Sequence, residues 1–248
     1  MNSELRREYL AALGLKAWTL RARDAQAEPF AAGESLPAPA PAMGRQQARD
    51  VRDVGEAREA REAGLGWDAL RARVAACTRC GLSATRTQTV FGVGSQQADW
   101  LIVGEAPGAE EDRRGEPFVG RAGQLLNSML HAVGLAREQV YIANVLKCRP
   151  PGNRDPSPTE AAECLPYLEQ QIALLKPKIM LAVGRIAAQN LLHTDKTLGS
   201  LRQQLHRFGA ASVPLVVTYH PAYLLRTPAD KRKAWEDLKF AREVCSRV

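Results

Sequence analysis

The chain predicts an α/β fold with a parallel sheet covered on both faces, and three observations carry that expectation. Four apolar runs of strand length occur: "WLIVG" (100–104), "VYIANVL" (140–146), "KIMLAVG" (178–184) and "VPLVVTYH" (213–220). Helical patterns lie between them, "AGQLLNSMLHAVGL", "TEAAECLPYLEQQIALLK" and "RIAAQNLL", and a last one, "KRKAWEDLKFAREV", follows Pro228. Each run ends at turn chemistry. Runs that are apolar throughout belong to strands buried on both faces, and helical crossovers make such strands parallel. Ligands of these sheets bind beyond the carboxyl ends of the strands, so the chemistry is expected there.

After the first run comes the Gly-rich segment "GEAPGAEEDRRGEPFVGRAGQLL" (104–126). It lacks the Gly-Lys-Ser/Thr ending of a phosphate loop, and its five acidic residues would repel a triphosphate. A turn through Gly104, Glu105, Ala106, Pro107 and Gly108 brings backbone amides and one carboxylate to a neutral ligand. Phe118 is a ring that either stacks on a flat base or caps the core. Asn144, ending the second run, offers a donor and an acceptor together, which suits the edge of adenine or of uracil. His220 ends the fourth run before Pro221, which turns the chain. A histidine there is placed to donate to developing negative charge.

Five cysteines occur: Cys77, Cys80, Cys148, Cys164 and the outlying Cys245. Four-cysteine zinc sites usually draw on two close pairs, but only Cys77 and Cys80 form one. A redox dithiol needs no further cysteines. A 2 + 1 + 1 arrangement suits a [4Fe–4S] cube better, since it accepts varied spacings. Spacing alone therefore favours the cluster over zinc.

The net charge is +7 with a pI near 9.4. Residues 1–66 hold 10 Lys/Arg and 10 Asp/Glu of the chain's 34 and 27, so the whole excess lies on residues 67–248. A basic folded domain favours a polyanion such as nucleic acid. No apolar run approaches a membrane span, and "MNSELRREYLAALGLKAW" is not a secretory signal. The protein is expected to be soluble and cytoplasmic, associated with the nucleoid. Residues 4–20 suggest a short amphipathic helix. The Pro/Ala-rich stretch 28–44 is expected to be a largely disordered linker, and 45–64 a solvated segment without an apolar face. The folded domain is expected over 67–248. The tethered N-terminal helix suits recruitment of a replication or repair protein.

With these residues assembled, the chain resembles the family 4 uracil-DNA glycosylases, the iron–sulfur branch of that superfamily. The matching segments are "GEAPGAEED", "GEPFVGRAGQLL", "NVLKCRPPGNRDP" and "HPAYLLR", in the family's order over about 67–248. The resemblance implies a three-layer α/β/α sandwich with a central four-stranded parallel sheet, acting as a monomer on uracil-containing DNA. It further implies that Glu105 and Ala106 line a uracil pocket, Phe118 stacks on the base and Asn144 reads its pairing edge. His220 would stabilise the departing uracil anion, and Glu111 and Asn153 match positions linked with activity. Cys77, Cys80, Cys148 and Cys164 match the ligands of a [4Fe–4S] cluster. Some uracil glycosylases carry an Asp where this chain has Ala106, so either Glu105 or Asn153 positions the water or development of the sugar cation makes a strong base unnecessary.

Three further expectations concern DNA. Tyr223, Leu224 and Leu225 are apolar enough to wedge into the gap left by a flipped base, unless one or more of the leucines packs inside the domain, and Arg226 is placed to hold a phosphate. Arg149, Arg154 and Arg185 are further phosphate contacts on the same face. The competing readings are a non-catalytic iron–sulfur or zinc module that binds nucleic acid, and an electron-transfer protein. A relative that captures uracil DNA covalently needs a histidine on an inserted loop, and "CRPPGNRDPSP" holds neither.

Overall fold

A computed structural model describes residues 66–247. The expectations for the N-terminal helix, linker and solvated segment lie outside the described residues. Helix α1 (Trp67–Ala75) is followed by β1 (Val93–Gly94), β2 (Trp100–Gly104), α2 (Ala109–Arg114), α3 (Arg121–Ala132) and β3 (Tyr141–Asn144). Then come α4 (Pro158–Leu175), β4 (Ile179–Val183), α5 (Arg185–Leu192), α6 (Leu198–Leu201), β5 (His206–Phe208), β6 (Val213–Thr218), α7 (Pro221–Arg226) and α8 (Lys231–Ser246).

The sheet has six strands in the order β1-β3-β2-β4-β6-β5. Its four inner strands are the four apolar runs; they pair in parallel, and every residue in them is buried. The expectation of four strands is corrected by two antiparallel edge strands, which make the sheet mixed. Neither edge carries an apolar run: β1 is only Val-Gly, and β5 is His-Arg-Phe. Successive side chains of a strand point to opposite faces, so the buried runs feed two cores. Ile102, Ile142, Leu181 and Val216 meet Leu126 and Leu130 of α3 and Leu238 of α8 on one face. Leu101, Ala143, Met180 and Val217 meet Leu168 and Ile172 of α4 and Leu191 of α5 on the other.

Helix α4 starts where its sequence says it should. Ser157 Oγ accepts the Glu160 N–H at 3.2 Å, Glu160 accepts the Ser157 N–H at 2.8 Å, and Pro158 occupies the first turn. The turn expected after His220 is instead the start of α7. Pro221 takes the first helical position, where its missing N–H costs nothing. A third apolar cluster joins α1 to α4 through Leu70, Val74, Phe91, Leu146 and Tyr167, and two of the cysteines, Cys148 and Cys164, are buried in it. Among the described residues no helix is long and apolar enough to cross a membrane.

Candidate active site

Register brings the strand ends level. Gly104 of β2 pairs with Asn144 of β3, and Val183 of β4 with Thr218 of β6, two residues before His220. Beyond the strands, the Val145 and Leu146 N–H groups donate to the Gly104 and Glu105 carbonyls at 2.9 and 3.0 Å, which extends the pairing past the functional residues. A cleft of about 450 Å³ opens above these ends. It gathers Glu105, Ala106, Glu111, Phe118, Asn144, Asn153 and His220, with Arg154 and Arg226 also on its wall.

Asn144 and Phe118 both close on residue 104, which they can do because it is glycine. A Cβ there would lie 2.4 Å from Asn144 Oδ1 and 2.7 Å from Phe118 Cζ. Asn144 is 2% exposed, and its Oδ1 has no hydrogen-bond partner among the described residues. Buried carbonyls are nearly always paired, so an unpaired one on a cleft wall is a candidate contact for a ligand donor. Phe118 adopts φ 55°, a conformation that costs a bulky residue about 1–3 kcal/mol. The following turn holds it there: Glu111 Oε1 accepts the Val119 and Gly120 N–H groups at 3.1 and 3.3 Å. Gly123 also lets α3 approach, since a Cβ there would lie 1.8 Å from the Phe118 carbonyl oxygen. Sequence reasoning tied Glu111 to activity, and the geometry makes it the anchor of the Phe118 loop.

His220 sits 5.7 Å from Phe118, ring to ring. Its Nδ1 accepts the Ala222 N–H at 3.1 Å as the cap of α7, which leaves Nε2 to carry the proton of the neutral ring. Burial pulls its pKa down to about 4, Arg226 adds to the shift and Glu111 opposes it. Glu105 moves the other way. Burial raises its carboxyl to about 7, helped by the nearby Asp155 charge and opposed by Arg185. Asn153 is exposed in a left-handed turn at φ 54°, and its Oδ1 accepts Arg149 Nε at 2.8 Å.

Not every expected DNA contact lies open to DNA. Leu224 is fully buried in the core beneath α3 and cannot act as a wedge, because helix α7 turns it inward. Tyr223 stacks on Tyr219 at 5.3 Å and donates its hydroxyl to Asp230 at 2.7 Å. Leu225 is 36% exposed and stands free at the surface. Arg154 forks onto Glu160 at 2.6 and 2.8 Å, and Arg185 reaches Asp155 at 3.2 Å and Gln189 at 3.0 Å. Asp155 went unread in the sequence although it lies within "GNRDP", the same segment as Asn153.

The cysteines meet in a second place. Cys77, Cys80, Cys148 and Cys164 line one small chamber between the loop after α1, the end of β3 and α4. Arg86 Nη1 donates to Cys148 Sγ at 3.1 Å, and the Lys147 N–H to Cys164 Sγ at 3.2 Å. Burial raises Cys148 and pushes Cys164 up to about 12. Among the described residues no three His, Cys, Asp or Glu side chains converge on a single ion. Four sulfurs around one chamber, two of them facing N–H donors, could hold a cluster, which is larger than one ion. Cys245 lies apart, against the core on the α8 side.

The model of the uracil DNA glycosylase superfamily matches residues 91–239. A type-4 uracil-DNA glycosylase of Archaeoglobus fulgidus is 42% identical over 187 residues, 73% of this chain and 94% of the relative. The chain belongs to the type-4 uracil-DNA glycosylase family. A Pyrobaculum aerophilum type-4 uracil-DNA glycosylase is 43% identical over 175 residues, covering 68% of this chain and 89% of the relative. A type-5 uracil-DNA glycosylase of Thermus thermophilus is 36% identical over a shorter stretch of 118 residues, 42% of this chain and 53% of the relative. The superfamily match takes in every strand end of the cleft but begins after Cys77 and Cys80. The cleft at the strand ends and two of the four chamber cysteines, Cys148 and Cys164, therefore fall inside it.

Proposed function

We propose that this type-4 family member flips uracil out of DNA and hydrolyses its N-glycosidic bond, releasing uracil and leaving an abasic site. The observation that carries this is the unpartnered Asn144 Oδ1 on the wall of a cleft of about 450 Å³ that also holds Phe118 and the neutral His220. A base within a duplex cannot be reached in place, so the nucleotide must be extruded, and a mismatched uracil unstacks at lower cost. Uracil presents N3–H beside O4, which an asparagine amide matches with Oδ1 and Nδ2. Cytosine presents an acceptor and an amino group in that order instead, so it meets the amide with like groups opposed.

The glycosidic bond breaks with its electron pair leaving on uracil, and the sugar becomes cation-like. His220 Nε2–H donates to the oxygen on which the uracil negative charge gathers, and a neutral imidazole suffices for that. Water adds at the sugar C1′ and passes a proton to the Glu105 carboxylate; the uracil anion then takes a proton from solvent. Glu105 is preferred over Asn153 as the water-positioning group because the Asn153 carbonyl already accepts from Arg149. Leu225 fills the gap in the duplex, and Arg226, Arg149, Arg154 and Arg185 face phosphates. Cys77, Cys80, Cys148 and Cys164 would hold a [4Fe–4S] cluster. When bound, that group supplies a covalent tie among the loop after α1, the end of β3 and α4, and no electron transfer enters the reaction. The chain is further proposed to act as a monomer in the cytoplasm, on nucleoid DNA. Residues 1–66 are proposed to recruit a replication or repair protein, which pull-downs with and without them would test.

Uracil release from a labelled oligonucleotide by the purified protein, alongside an iron count, tests the main reading. An iron-loaded protein that binds such DNA and releases nothing would leave the non-catalytic module standing. Two variants sharpen it. Glu105→Gln is expected to slow single-turnover release about 100-fold, within the range for a lost general base. It should also abolish a rise in rate centred near pH 7, where the wild-type carboxyl ionises. An unchanged rate, with Asn153→Ala impaired instead, would move the role to Asn153. Gly104→Ala places a methyl group where Asn144 Oδ1 and Phe118 meet. It is expected to abolish release while leaving DNA affinity within about twofold, since phosphate contacts dominate that affinity.

A further inference from the structure

Lys147 is 1% exposed, and nothing in the reaction above uses it. Its Nζ donates to the Asn144 carbonyl at 2.9 Å and to Gln171 Oε1 at 2.6 Å. Gln171 is itself fully buried and donates onward to the Phe91 carbonyl at 2.9 Å and the Tyr141 hydroxyl at 3.2 Å. The Lys147 backbone adds two more ties, its N–H to Cys164 Sγ at 3.2 Å and its carbonyl from the Val90 N–H at 2.8 Å. The side chain thus joins the end of β3 to helix α4, and the Lys147 backbone carbonyl and Gln171 tie both to the segment leading to β1. Taking an ammonium out of water is costly, and an apolar side chain of the same length would fill the space without that cost. What methionine lacks is the donor to the Asn144 carbonyl.

We propose that Lys147 is a positioning residue that holds Asn144 in place to read the base, with Gln171 fixing the lysine from behind. The inference rests on Asn144 reading uracil. Asn144 is the last residue of β3, and its side-chain carbonyl is unpartnered until a ligand arrives. Its aim therefore depends on its backbone, whose carbonyl Lys147 grips. Without that grip Asn144 is free to shift on the cleft wall, whereas the arginines that face phosphate are untouched. The lysine thus governs recognition of the base and leaves the grip on DNA alone.

Lys147→Met in the full chain tests this by three measurements at matched iron content: inhibition by free uracil, affinity for abasic-site DNA and single-turnover release. Inhibition by uracil is expected to weaken at least about 10-fold, the scale of a hydrogen bond to a charged group. Release should slow by a similar factor, with abasic-DNA affinity within about twofold. The pair Lys147→Met/Gln171→Met should be no worse than Lys147→Met alone, because both break one chain of contacts. Unchanged uracil inhibition would overturn the proposal, and so would equal losses for uracil and abasic DNA, which mark a merely structural role. If Lys147→Met does not fold, Gln171→Met decides by the same two criteria. A wild-type protein that neither releases nor binds uracil sinks the functional reading, whereas one matched by Lys147→Met sinks only this proposal.

Discussion

Asn144→Asp is expected to reverse the hydrogen-bond preference of the pocket. The asparagine amide matches uracil, a donor beside an acceptor, while an aspartate carboxylate only accepts. Uracil O4 would then face a buried negative charge, and single-turnover release of uracil should fall by about 10³-fold or more, because a site mismatched to its substrate's polar groups rejects it strongly. Cytosine offers an amino group at that place, and carboxylates accept from it, so slow cytosine release should become measurable. Asn144→Ala separates charge from contact. It removes one paired contact, worth about 1–3 kcal/mol or roughly 5–150-fold, and should gain no cytosine activity. Wild-type release by Asn144→Ala would strip the residue of its role and leave the buried Oδ1 without a purpose.

The inner sheet was legible because burial on both faces leaves an unbroken apolar run, and four such runs became β2, β3, β4 and β6. The edge strands were not, since two or three residues with solvent on one side need no such run. Helix α2 hid in an acidic stretch that serves the loops: Glu111 anchors the Phe118 turn, and the buried Asp112 carboxylate accepts the Thr87 N–H at 3.0 Å. The strand-end rule found Glu105, Asn144 and His220, because a parallel sheet puts the carboxyl ends of its strands on one side. The wedge expectation failed at Leu224. Reading Pro221 as the start of a turn missed that Pro also opens helices, and helical geometry then turned the leucine inward. Lys147 and Gln171 were illegible for another reason. Polarity patterns assign such residues to the surface, and only the fold reveals that they are buried and paired.

The cleft divides its work by electrostatics as well as by position. The same burial acts oppositely on an acid and a base: it raises Glu105 to about 7 and lowers His220 to about 4. Between those values both groups are neutral. Above about 7 the carboxylate ionises while the imidazole keeps its single proton on Nε2. On the proposed mechanism the working state is an anionic Glu105 beside a neutral His220 donor, reached by one ionisation near neutrality.

His220→Ala is expected to cost about 10²–10³-fold in single-turnover release, the scale of one lost donor to a developing anion. The pH profile tests how the ring does it. Because the imidazole is already neutral above about pH 4, its donor persists through pH 9 and contributes no limb between pH 5 and 9. His220→Ala should therefore be slow at every pH in that window and retain the rise near 7 that belongs to Glu105. Glu105→Gln should show the converse, a flat profile. Below pH 4 protonation puts a second N–H on Nδ1, which then faces the Ala222 N–H it formerly accepted from at 3.1 Å, and release should fall as the ring loses that seat. Nitrogen chemical shifts of His220 in the free protein at pH 7 should report a proton on Nε2 alone. A wild-type rate that declines as pH rises through 6.5, together with a doubly protonated ring at neutral pH, would make the imidazolium the donor. The cap on α7 would then be misassigned.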